Sequence, residues 1–253
     1  MLRKHEIFSE KLRIARTVVA GLRRALRKSM MAAGIYGSVA RGTAEKYSDI
    51  DLIVIVRKPC TDSFRFRIVN ATFCSIVYET LKGALSQLST PTSEFPELLG
   101  GFRKILPLYD PLALLPKLEA RARSIPEELF RKSAKIALLE SYEDFCRAKN
   151  AFLNHDDIVL KDNVDLVTQS AALVVASLNQ SAFTSDREIF KAHKGFSKLP
   201  RRFDRIERLR YGNLKRAALF RMLMGFYLDT VDFCRREGIR FPVDERTLKE
   251  LDP

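Results

Sequence analysis

Two aspartates two residues apart occur in the run Ser48-Asp49-Ile50-Asp51-Leu52, shortly after the run Gly37-Ser38-Val39-Ala40-Arg41-Gly42. If the second run is extended, alternation turns both carboxylates to one face. Like charges on one face of an otherwise apolar segment repel each other and lose hydration unless a cation joins them. Two hard oxygen donors suit Mg2+. Gly37 has no Cβ to hold a phosphate away from the backbone. Ser38 offers a hydroxyl and an N–H at the start of a helix, where partial positive charge favours anions. Arg41 adds a cation and Gly42 allows a second close approach. Together these residues would grip a polyphosphate beside a divalent cation, which is what in-line displacement at phosphorus requires.

The elements that position them follow from local pattern. Leu12, Val19, Leu22 and Leu26 recur at helical spacing between Ile7 and Lys28, among Arg and Lys, which predicts an amphipathic helix. The apolar run Met30 to Tyr36 reads as a strand that ends at Gly37, with a tight turn and a helix start over Ser38 to Thr43. Asp49 to Val56 is β-branched and reads as a central strand. One or two further strands are expected between Phe64 and Val77, then a helix from about Thr80 to Leu88. Residues 89–116 hold five prolines and Gly100-Gly101, which marks a connecting region of short pieces.

Beyond it the pattern is helical. Ser124-Ile125-Pro126-Glu127 reads as a capping box opening a helix to about Leu153. His155-Asp156-Asp157 reads as a turn. Val167, Ala171, Val174 and Leu178 mark a second helix, and Leu219, Met222, Phe226, Thr230 and Phe233 a third, ended by Gly238. Phe220, Phe226 and Tyr227 fit core packing rather than base stacking. The expectation is an α+β protein, a mixed β-sheet flanked by helices over residues 1–115, followed by an all-α helical bundle over 116–253.

Composition narrows the partners. The 253 residues are 46% hydrophobic and 30% charged, ordinary for a globular chain, and no apolar run is long enough to span a bilayer. The opening Met-Leu-Arg-Lys-His-Glu lacks a signal-type apolar stretch, and the four cysteines are scattered, so a cytoplasmic protein with reduced thiols is expected. The net charge of +13 is concentrated. Met1 to Lys28 holds nine Lys/Arg against two acids, and Arg187 to Arg216 eleven against three. Such blocks suit a polyanion, nucleoside triphosphate or nucleic acid, or else are two solvated helix faces.

The ordered set Gly37-Ser38, Arg41-Gly42 and Ser48-Asp49-Ile50-Asp51-Leu52 resembles the signature of the DNA polymerase beta-like nucleotidyltransferase superfamily. The resemblance covers residues from about 30 to 56. The helical tail is similar in layout to the small-molecule, kanamycin nucleotidyltransferase-like branch. The resemblance implies a nucleoside triphosphate, ATP first, bound by Gly37, Ser38, Arg41 and Ser48. It implies Mg2+ on Asp49 and Asp51 as catalytic and metal-binding residues, and transfer of a nucleoside monophosphate, AMP first, to an acceptor hydroxyl. The acceptor is a small molecule, protein or RNA, and a homodimer is compatible with the layout.

The family usually carries a third acid on a neighbouring strand, and the strand that aligns there reads Thr72-Phe73-Cys74-Ser75-Ile76-Val77-Tyr78-Glu79, with Ser75 in the acid's place. Glu79 shares Ser75's face, and Glu140, Glu143 and Asp144 share a face of the first tail helix, where solvent is the simpler account. Two alternatives stay open at this point: a nucleotide-binding regulatory or antitoxin-like protein with little or no turnover, and a nucleotidyltransferase acting on a nucleic acid. The spacing of Arg187 and His193 also resembles a short motif of HEPN-type ribonucleases.

Overall fold

A computed structural model describes residues 4–183 and 185–240. The chain forms two compact units, residues 1–90 with 98–125, and residues 91–97 with 126–253. The first unit opens with helix α1 (Lys4–Leu26), strand β1 (Met30–Tyr36), the single turn α2 (Gly37–Arg41) and strand β2 (Ile50–Val56). Strands β3 (Phe64–Val69) and β4 (Thr72–Thr80) form a hairpin, and helix α3 (Leu81–Gln87) follows. Asn70 and Ala71, both at positive φ, make the hairpin's two-residue turn, the twist that a tight antiparallel reversal favours. Helix α4 (Phe95–Phe102) runs across the sequence division between the units. Strand β5 (Leu106–Tyr109) and helix α5 (Leu114–Arg123) complete the first unit.

The five strands lie in the order β3-β4-β2-β1-β5. β2 and β4 are parallel and every other pair is antiparallel, so the sheet is mixed, as expected. Alternation divides its faces. Ile35, Leu52, Val54 and Ile76 pack with Ile14, Val18, Val19 and Leu22 of α1 into one core. Truncating Leu52 to Ala in such a place costs about 2–5 kcal/mol. On the other face, Gly34 lets β1 lie close to its cover: a Cβ there would fall 2.6 Å from Ile105 Cγ2 and 2.9 Å from Leu115 Cδ1.

The second unit is helical: α6 (Glu127–Leu153), α7 (Asp157–Leu178), the short α8 (Asp186–Ala192) and α9 (Arg205–Tyr211), and α10 (Arg216–Arg236). α6 and α7 form a helical hairpin whose turn is Asn154-His155-Asp156. His155 has positive φ there, and Asp156 caps α7 by accepting the Val159 N–H at 3.0 Å. Phe145 stacks on Tyr227 at 4.5 Å between ring centres, and Phe220 and Phe226 are buried with them, so these aromatics are core, as their spacing implied. The expected capping box does not form. α6 begins at Glu127 with Pro126 as an N-cap that makes no side-chain bond. The Ser124 hydroxyl instead donates to the Arg121 carbonyl at the end of α5, because that orphan acceptor is nearer than the next helix's donors. No helix of the described residues is long and apolar enough to cross a membrane.

Candidate active site

The pairing register builds the site. At one level of the sheet Asp51 lies opposite Tyr36 on β1 and opposite Ser75 on β4, and Ser75 lies opposite Phe66 on β3. Cross-strand partners share a face, so Tyr36, Asp51 and Ser75 stand side by side where β1 ends and β2 begins. Asp49, exposed, precedes β2 by one residue and lies two positions from the half-buried Asp51.

The Gly37 turn faces this row directly. Gly37 takes φ +70°, and a Cβ on it would collide with the Asp51 carboxylate, so glycine is required both for conformation and for room. Gly42, at φ +73°, closes α2 and meets nothing within 4 Å, so there only the conformation calls for glycine. α2 is five residues long. Its attraction for an anion therefore rests on the outward N–H groups of one turn rather than on the helix macrodipole expected from the sequence. Ser38 is half-buried, with its carbonyl accepting from the Thr43 N–H at 3.0 Å. The Ser48 hydroxyl accepts the Glu45 N–H at 2.8 Å and so shapes the loop that leads into Asp49.

On β4, the neighbouring strand, it is Ser75 that lies opposite Asp51. Its hydroxyl donates to Asp51 Oδ1 at 2.7 Å. Burial raises the Asp51 carboxyl above the usual carboxylate range. The Ser75 bond works against this, the Asp49 charge adds to it, and Arg41 pulls it back. Tyr36, which the motif reading passed over, belongs to the same network. Burial and the Asp51 charge push its phenol up to about 12, while its side-chain hydrogen bond with Ser75 acts in the opposite sense. Its signal in the sequence was modest: the last strand residue before Gly37 must share a face with whatever sits opposite.

Other candidate residues lie elsewhere. Glu79 pairs with Ile55, four residues along β4 from Ser75, or about 13 Å at the usual rise. Its carboxylate accepts from the Thr80 N–H and from Gln87, both within 2.8 Å, where α3 begins, so it does not replace the third acid. On α6, Glu143 pairs with Arg147 at 2.6 Å and Asp144 approaches the same guanidinium at 3.6 Å, while Glu140 is exposed: a salt-bridged helix surface. His193 is buried, its Nδ1 2.6 Å from the Phe190 carbonyl and its ring against Phe203, so it is a core histidine. The Arg187 side chain lies outside the described residues.

A hard divalent cation fits this arrangement. Asp49 and Asp51 supply hard oxygen donors, and the Asp51 carboxyl is desolvated and feels the Asp49 charge. Among the described residues no cluster of three or more His, Cys, Asp or Glu side chains is placed to hold a metal. A cation on Asp49 and Asp51 would therefore need water and phosphate oxygens as further ligands.

Residues 21–82 match the family model of the nucleotidyltransferase domain. Over 218 residues the chain is 21% identical to aminoglycoside nucleotidyltransferase (4') from Staphylococcus aureus and, equally, to that from a Bacillus species, covering 85% of this chain and 86% of each relative. Among solved structures, a nucleotidyltransferase-like protein from Exiguobacterium sibiricum shares the fold with a TM-score of 0.54 at 12% identity, over 89% of this chain and 74% of that one. Residues 21–82 thus match a nucleotidyltransferase domain, and these likenesses support nucleotidyl transfer as the general class of reaction.

Proposed function

We propose that this protein transfers a nucleoside monophosphate, AMP from ATP, to an acceptor hydroxyl. The observation that carries the reading is the half-buried Asp51 carboxylate set against the Gly37 turn, with Asp49 two residues away. In this reading Gly37, Ser38 and Arg41 bind the triphosphate, and Ser48 acts through the loop it shapes. Asp49 and Asp51 hold Mg2+, which when bound neutralises charge at the phosphates. Ser75 fixes Asp51 Oδ1 in orientation, and Tyr36 fixes Ser75. The two relatives matched over most of the chain are named for aminoglycosides. A small hydroxyl-bearing molecule is accordingly the first acceptor class to try.

The test is purified protein with ATP labelled at the α-phosphorus, Mg2+ and a panel of small-molecule and RNA acceptors. Label should move to an acceptor with release of pyrophosphate. No labelled product, together with no nucleotide binding by calorimetry, would end the proposal.

One observation favours a second reading, nucleotide binding with little turnover: a hydroxyl stands where the family places a carboxylate, and it already donates its proton to Asp51. Ser75→Asp separates the two. If the missing acid limits turnover, the variant raises pyrophosphate release by on the order of a hundred-fold or more, the range of one positioned base. An unchanged or lower rate shows that the serine is part of a working site.

A further inference from the structure

The buried side of α1 reads Ile7, Lys11, Ile14, Ala15, Val18, Val19 and Leu22, one lysine inside an apolar stripe. Lys11 is 3% exposed. Its ammonium donates to the Ser48 carbonyl at 2.5 Å and to Thr72 Oγ1 at 3.4 Å. Among the described residues no carboxylate lies within ion-pair distance of it. An ammonium taken out of water with only neutral oxygens for company is costly, and an apolar side chain of similar length would pack the same space at no such cost. Core packing alone therefore leaves the charge unexplained.

The two oxygens it reaches do explain it. Ser48 is the residue before Asp49, and Thr72 opens β4 three residues before Ser75. Lys11 thus ties α1 to the starts of the two parallel strands that carry Asp51 and Ser75. A charge-assisted bond to a carbonyl is about twice as strong as a neutral one. Asp49 itself has no pairing of its own within β2, which begins at Ile50. The Cys74 thiol, between those strand starts, senses both neighbours: burial raises it, Lys11 lowers it and Asp49 raises it.

We propose that Lys11 is a positioning residue of the nucleotide site, fixing the Ser48–Asp49 segment so that Asp49 stands ready beside Asp51 for a divalent cation. This inference rests on the reading of the two aspartates as the cation pair. Lys11 touches neither phosphate nor cation. It acts through the Ser48 carbonyl.

The experiment compares the full chain with Lys11→Met, using Mn2+ affinity by water-proton relaxation, affinity for a non-hydrolysable ATP analogue with Mg2+ by calorimetry, and thermal melting. Lys11→Met should bind Mn2+ and the analogue about ten-fold more weakly, while its melting temperature stays level or rises because a buried charge has gone. Lys11→Arg, which keeps charge and donors, should recover part of the loss. A melting temperature that falls with unchanged affinities would reduce Lys11 to a structural role. Affinity for Mn2+ that rises would show that its charge only repels the cation. Either overturns the proposal. Should Lys11→Met not fold, Thr72→Val removes one of the two bonds and is expected to weaken Mn2+ binding about three-fold, with no change overturning the idea. Wild-type protein that binds neither probe would instead remove the functional reading beneath it.

Discussion

Asp51 in the first unit is half-buried and Asp229 in the second is buried, and the two are treated differently. Asp229 on α10, 7% exposed, is gripped by the Arg202 guanidinium through two parallel bonds of 2.7 Å. The fork satisfies both oxygens, and the bond with Asp229 holds the Arg202 guanidinium above its ordinary range. Asp51 on β2 receives a neutral hydroxyl from Ser75 and has a like charge, Asp49, beside it, and its carboxyl is raised by burial. One carboxylate is neutralised inside the chain and serves the fold. The other is bonded to a neutral hydroxyl, and the cation that acts on it, Arg41, does not offset its burial. The same contrast separates Arg202, paired with an acid, from Lys11, paired with carbonyl and hydroxyl oxygens.

Substitutions can break that contrast. The largest effect should come from Asp51→Asn. Pyrophosphate release should fall by at least about a thousand-fold, while the melting temperature holds or rises, since a desolvated charge has been removed. A destabilised variant that retained transfer would reverse the roles assigned to the two carboxylates. Asp229→Ala should do the opposite, because Arg202 loses its partner and the buried end of α10 its neutralised pair. Arg202 is half-exposed, so the loss is discounted to about 1–2 kcal/mol. That corresponds to a fall of a few degrees in melting temperature, with the affinity for Mg2+ and nucleotide unchanged.

The smallest effect is in pH. Asp51 has a folded-state pKa above its unfolded value, so the folded protein holds that proton more tightly. Its contribution to stability is greatest below the ordinary carboxylate value and declines as pH climbs from there through the raised native value. The melting temperature of wild type relative to Asp51→Asn should therefore slope downward across the acid range. Saturating Mg2+ and ATP analogue should flatten the slope. An upward slope would mean that Asp51 is stabilised as an anion within the chain.

Much of this was legible in local pattern. The run Met30 to Tyr36 is strand β1 to the residue, and Gly37 and Gly42 take the positive φ of a tight turn. These features repeat every two residues or sit at one turn, so nearest neighbours decide them. The helix starts were less legible. Ser124 has the residue type and spacing for a capping box, but a closer carbonyl at the end of α5 captured its hydroxyl. Lys11 and Tyr36 escaped notice because nothing within a few residues of either marks it. Lys11 breaks an apolar stripe as many snorkelling lysines do, and Tyr36 differs from other strand-end aromatics only through its partners across the sheet.

By itself the sequence settled the kinds of element and the glycine turn that precedes the aspartates, because backbone sterics act over short distances. The tertiary structure alone decided which buried charges would meet a counter-charge. It brought Arg202 to Asp229 from 27 residues away and the Ser75 hydroxyl to Asp51 from 24. It placed Lys11 under Ser48, 37 residues along the chain. Such pairings depend on strand register and on helix packing, which the whole core fixes at once and no local run of residues encodes.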